Sequence, residues 1–160
     1  MLVPFDQLSD TSKIWIYQAE KELNNEQIAL VKTKLETFLN TWQSHGKDLV
    51  ASHKIPYNQF IIIGVDEDKT NSSGCSIDAS VAVLKELEQD LQVDLFNRMK
   101  VTFKIQDNVN TVSLPDFQRY IKEGKINPNT IVFNNLVNNK SELNQNWETP
   151  AKNSWHKRLF

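Results

Sequence analysis

Cys75 is the only cysteine of the chain, and it stands in GVDEDKTNSSGCSID, Gly64 to Asp78, where an apolar strand runs into three acidic residues and a polar loop. The segment that follows, Ser76 to Leu91, has the apolar spacing of an amphipathic helix, so Cys75 is expected at or just before a helix N-terminus. Unpaired backbone N–H groups there favour anions and thiolates, and a thiol so placed can have its pKa lowered from ~8.5 toward ~7 or below. With His45 as a base and Asp66 or Asp68 to orient it, Cys75 would serve a small thiol-dependent enzyme or a redox sensor. The competing reading is packing: free cysteine often behaves as a small hydrophobe, and His45 beside Gly46 has the form of a helix C-cap.

Two other chemistries draw on the same residues. His45, Asp66, Asp68 and Cys75 are all legitimate metal ligands, but no ligand-spacing motif joins them; a solvated acidic strand end is the simpler reading, and no metal is assigned. The turn Ser72, Ser73, Gly74, Ser76 has the hydroxyls and helix N–H groups to hold a phosphate or carboxylate. Capping the helix is its simpler use, because the acidic residues repel an anion. The ligand-binding residues expected at this place are Ser44, Asp68, Ser72, Ser73, Gly74, Ser76 and Asp78.

The elements that must position these residues are legible. Ile14 to Tyr17 reads as a strand that is apolar on both faces. Asn24 with Gln27 forms a capping box for a helix whose stripe is Ile28, Val31, Leu35, Phe38 and Trp42 and which Gly46 closes. Leu49 to Tyr57 alternates, and a turn at Pro56 to Gln59 joins it to Phe60 to Asp66 as an antiparallel hairpin. A second helix presents Ile77, Val81, Leu84 and Leu91, after which Val101, Phe103 and Ile105 alternate with polar residues.

The order βαββαβ predicts an α+β fold, a ferredoxin-like antiparallel sheet with helices on one face. In that topology the first and third strands are central, which suits their two apolar faces, and the second and fourth are edges, which suits their alternation. The sheet brings Ser44 to Gly46 and Asp66 to Ser76 to one edge. The rest reads as a C-terminal αβ extension: a strand Val109 to Ser113, a helix opened by Pro115 and stopped near Gly124, a strand Thr130 to Phe133, a short helix Ser141 to Trp147 and a tail ending WHKRLF. A single domain over 1–160 is expected, with its core at 13–106 and the extension at 107–160.

Composition narrows the function classes. The chain has 160 residues, 39% of them hydrophobic, which is enough for one well-packed core. A net charge of −2 gives no field toward nucleic acid or an anionic membrane, and neither is expected as a partner. The longest apolar run, Phe60 to Val65, is far below the ~20 residues of a membrane span. One cysteine excludes an internal disulfide framework, and MLVPFDQLSDTSK lacks the regions of a signal peptide, so a cytoplasmic location is expected. Trp15 and Tyr17 occupy positions where RNA-recognition folds stack bases, but the third strand offers only Phe60 and isoleucines with no basic residue ahead of it. Their face is expected to be covered by the extension, including Trp147 and Trp155, or by a second copy in a homodimer. His53 and His156 are expected as packing residues.

The blocks KIWIYQAEKEL, FLNTWQSHGKDLVAS, YNQFIIIGVDE, SSGCSIDASV, DLFNRM, TIVFNNLV and NWETPAKNSWHKRLF together resemble an uncharacterised family of small proteins from Bacteroidota whose members often carry the label ABC transporter ATPase. The resemblance runs over nearly the whole chain and implies no particular substrate or catalytic residue. An ATP-binding cassette needs a Gly-x-x-x-x-Gly-Lys-Ser/Thr loop, and the glycines at 46, 64, 74 and 124 never take that spacing. ATP hydrolysis by this chain alone is therefore not expected. No cofactor is expected, and the leading reading is a non-enzymatic binding or regulatory module for a protein partner or small molecule. The thiol-dependent enzyme or sensor is second and a metal-binding protein third.

Overall fold

The computed structural model describes residues 1–160, which divide into two compact units. The first comprises Met1–Phe96 with Asn138–Ser141, and the second Asn97–Val137 with Glu142–Phe160. The α+β class is as expected.

The first unit is built from β1 (Lys13–Gln18), α1 (Asn25–Thr41), β2 (Gln43–Ser44), β3 (Lys47–Asp48), β4 (Val50–Lys54), β5 (Phe60–Asp66) and α2 (Gly74–Leu91). β5 lies between β1 and β4 and is antiparallel to both. Every residue of β5 is buried, because both faces of the sheet are covered. Trp15, Tyr17, Ala51, Ile61, Ile63 and Val65 share the face that packs on Val31, Leu35 and Leu39 of α1 and Leu84, Leu87 and Leu91 of α2. Trp15 and Tyr17 are thus core residues on the helix side. The opposite face carries Ile14 and Gly64, and Phe5 and Leu8 of the N-terminal segment lie on it. That approach is so close that a Cβ at Gly64 would stand 2.6 Å from Leu8 Cδ1.

The expected cover for this second face is corrected accordingly. Trp147 packs on Phe133 with centroids 5.0 Å apart, and Trp155 stacks on His156 at 3.8 Å, all within the second unit. Leu8 stands six residues before Ile14, the β1 partner of Gly64, so the N-terminal segment folds back onto this face at a lower loop-closure cost than a distant tail does. Lys140 holds the N-terminal segment down: its buried Nζ donates to Leu8 O at 2.6 Å and Asp6 O at 3.2 Å.

The ferredoxin-like order is not confirmed, and the departure lies in its fourth strand. β6 (Lys100–Ile105) lies in a different sheet from β1 and pairs with β7 (Asn108–Ser113) on one side and β8 (Ile131–Phe133) on the other, with β9 (Glu148–Pro150) beyond β8. A two-residue turn at Gln106 and Asp107, with Gln106 at φ 57°, gives β6 a partner only a few residues away. The first compact unit's main segment ends at Phe96, and each unit has hydrophobic residues packed within it.

The second unit's core is Val101, Phe103, Phe117, Ile126, Val132 and Ala151. Phe117 comes from α3 (Leu114–Lys122), which Ser113 caps and Pro115 opens; Gly124 follows the helix at φ 76°. α4 (Lys140–Asn146) follows β8 in the chain, and the chain ends in two 3₁₀ turns, Ala151–Asn153 and Trp155–Leu159.

Two helix details of the first unit differ from expectation. α1 has the predicted capping box, with Gln27 N donating to Asn24 Oδ1 at 2.9 Å, but it stops at Thr41 with Trp42 as cap. His45 and Gly46 instead form the turn of a small hairpin, Ser44 pairing with Lys47, at φ 51° and 78°. Those angles are those of a type I′ turn, whose twist matches its strands. In α2 the buried stripe is Ser76, Ser80, Leu84, Leu87 and Leu91, with Ile77 and Val81 half-buried. The serines tolerate burial because their hydroxyls donate within the helix, Ser76 Oγ to Ser73 O and Ser80 Oγ to Ile77 O.

Candidate functional site

The expected edge forms, and a tryptophan braces it. β2 packs against α2, and the buried indole Nε1–H of Trp42 donates to Ser76 O at 2.9 Å. Trp42 also stands edge-on to Trp15, at 6.4 Å between centroids, and is tilted on Phe38 at 5.2 Å. The end of α1, the hairpin and the first turn of α2 are thereby joined beneath the surface. Above that joint Cys75, the second residue of α2, is exposed, and so is His45 at the hairpin tip.

The side chains around them are arranged for capping rather than for proton transfer. Ser73 is the N-cap: Ser76 N donates to its Oγ at 3.2 Å, and Ser73 N donates to Ser76 Oγ at 2.7 Å. Ser72 donates from N and Oγ to Glu67 Oε2, at 2.9 and 3.3 Å, which shapes the loop ahead of the helix. Asp66, 7% exposed, accepts from Ser9 N at 3.4 Å, Ser9 Oγ at 3.2 Å and Asp68 N at 3.1 Å. Its carboxylate ties the segment before β1 to the end of β5. Gly74, Asp68 and Asp78 are exposed.

No hydrogen bond joins Cys75 to His45. No group of three or more His, Cys, Asp or Glu is placed to hold a metal ion. Ser44 is 3% exposed and its Oγ has no hydrogen-bond partner, a polar atom buried beside the α2 contact. His53 is half-buried, as expected, with Nε2 3.3 Å from Glu36 Oε1.

Trp42 is the residue that sequence reasoning left in the apolar stripe without seeing its polar handle. A groove of about 430 Å³ is the other feature missed; it opens between Glu20–Leu23 after β1 and Gln92–Asp94 after α2, at the opposite end of that helix. Its lining is mainly polar and charged loop, which no periodicity marks.

Comparison with protein-family models, curated proteins and solved structures finds no match to this chain.

Proposed function

We propose that the protein is a cytoplasmic, non-enzymatic binding or regulatory module of the Bacteroidota family it resembles, recognising a protein partner through the edge of Ser44–Gly46 and Asp66–Asp78. The observation that carries this reading is the Trp42 brace to Ser76. A projecting hairpin tip and an exposed first helical turn at fixed spacing need little ordering on contact, and preorganisation of that kind favours association. The polar groups nearby support recognition over catalysis: the hydroxyls of Ser73 and Ser76 close the helix cap, and Asp66 is occupied by Ser9.

A second reading, a thiol-dependent enzyme or redox sensor, draws on one specific observation, the exposure of Cys75. The two readings separate on the rate of Cys75 alkylation by iodoacetamide in the native protein and in His45→Ala. The binding module predicts the same rate in both, because no bond links the two side chains. A large fall on removing His45 would replace it with the thiol reading.

A further inference from the structure

The net charge of −2 conceals an unequal division between the two units. The first unit carries nine Lys and Arg against fifteen Asp and Glu, a net −6, and the second nine against five, a net +4. The basic excess is concentrated in one layer. α3, the loop after it and the two C-terminal 3₁₀ turns pack together: the Phe117 ring meets those of His156 and Phe160, and Lys152 N donates to Pro128 O at 2.9 Å. On this layer stand Arg119, Lys122, Lys125, Lys152, Lys157 and Arg158, all exposed.

Two side-chain carboxylates pair with them: Asp116 and Glu123 with Arg119, and Glu123 also with Lys125. Lys122, Lys152, Lys157 and Arg158 have no ion pair. Aromatic rings are interleaved with the cations. Tyr120 is half-buried, with the charged groups of Arg119 and Lys125 5.3 and 5.1 Å from its ring centroid, Trp155 is half-buried and Phe160 is 42% exposed.

We propose that this basic layer of the second unit binds single-stranded nucleic acid. Uncompensated cations on elements that pack together attract a phosphate backbone, and partly exposed flat rings on the same elements are surfaces on which unpaired bases stack. An acidic protein partner would use the charge and leave the rings idle. A membrane surface would need several adjoining apolar side chains to insert, and this layer exposes one large one, Phe160. The inference does not rest on the protein-binding edge, which belongs to the other unit. It revises the expectation drawn from net charge, which averages two units of opposite sign.

Fluorescence anisotropy of a labelled oligouridylate of about 16 nucleotides, titrated with the full chain at increasing salt, tests it. Four unpaired cations predict a slope of log affinity on log salt near about −3. Lys157→Glu with Arg158→Glu should weaken binding at least about tenfold at low salt and flatten the slope by about 1.4. Lys122→Glu with Lys152→Glu, on the same layer, should act alike, and Lys21→Glu with Lys32→Glu, in the first unit and outside the protein-binding edge, should leave affinity unchanged. The proposal falls if the oligonucleotide does not bind at low salt or if all three double variants weaken it equally. It also falls if polyglutamate or phosphatidylserine vesicles bind in place of the RNA.

Discussion

Trp42→Ala is expected to lower the unfolding free energy of the first unit by about 3–5 kcal/mol, the range for emptying a buried indole site. The side chain is 3% exposed and packs on Trp15 and Phe38, so its removal leaves a cavity bounded by α1, β1 and α2 that these rigid elements refill only in part. The bond to Ser76 O goes with it, and the hairpin loses its fixed spacing from the first turn of α2. Urea titration followed by circular dichroism reads the loss, and amide exchange of Gln43 to Asp48 should accelerate beyond what global destabilisation explains. Trp42→Phe separates the contributions: it keeps most of the packing and removes the N–H, for a cost near about 1 kcal/mol. A loss in Trp42→Ala no larger than in Trp42→Phe would show that the indole does not brace this edge.

Acidification is expected to destabilise the second unit through His156, by about 3 kcal/mol between pH 6.5 and pH 4. The imidazole is 1% exposed, stacked on Trp155 and hydrogen-bonded through Nδ1 to Ser154 Oγ at 2.7 Å, with the Phe117 ring 5.9 Å away. Burial pushes its pKa down from the ordinary 6.5 to about 4, because an imidazolium there would lose its hydration. Between those values the unfolded chain binds a proton that the folded chain refuses. The stabilisation from His156 is therefore complete above pH 6.5, declines as pH falls toward 4, and changes no further below that. Urea unfolding of the native protein and of His156→Gln across this range isolates the effect from the carboxylates, since only the difference between the two carries the histidine. A pH-independent difference would mean that His156 is protonated in place.

Most local signals were read correctly, the end of α1 and the short hairpin after it excepted, and pairings across the chain were the weak point. The Asn24–Gln27 capping box, the Val50–Asp66 hairpin, the strand at 108–113 and the helix opened by Pro115 all follow from side chains a few positions apart, where backbone chemistry decides. The partner of Val101 to Ile105 does not follow, because its alternation suits an edge strand beside β1 as well as a strand between β7 and β8. The short hairpin at Gln43 to Asp48 was missed because strands of two residues have no periodicity, although a turn ending in glycine was the available sign. Of the candidate site, the meeting of the hairpin with the first turn of α2 was legible from topology. The turning of Asp66 toward Ser9 was not, because Ser9 lies in a segment with no regular pattern. The basic layer was hidden by summing charge over two units of opposite sign.

The central claim is that a protein partner occupies the edge around Cys75, and footprinting the thiol with N-ethylmaleimide in intact cells tests it most directly. The reference is Cys75→Ser carrying Met99→Cys, a reporter on an exposed residue of the second unit. Occupancy predicts that Cys75 labels more slowly in cells than in the purified protein, while the reporter at 99 labels at the same rate in both. Equal labelling of Cys75 in cells and in isolation would contradict the claim.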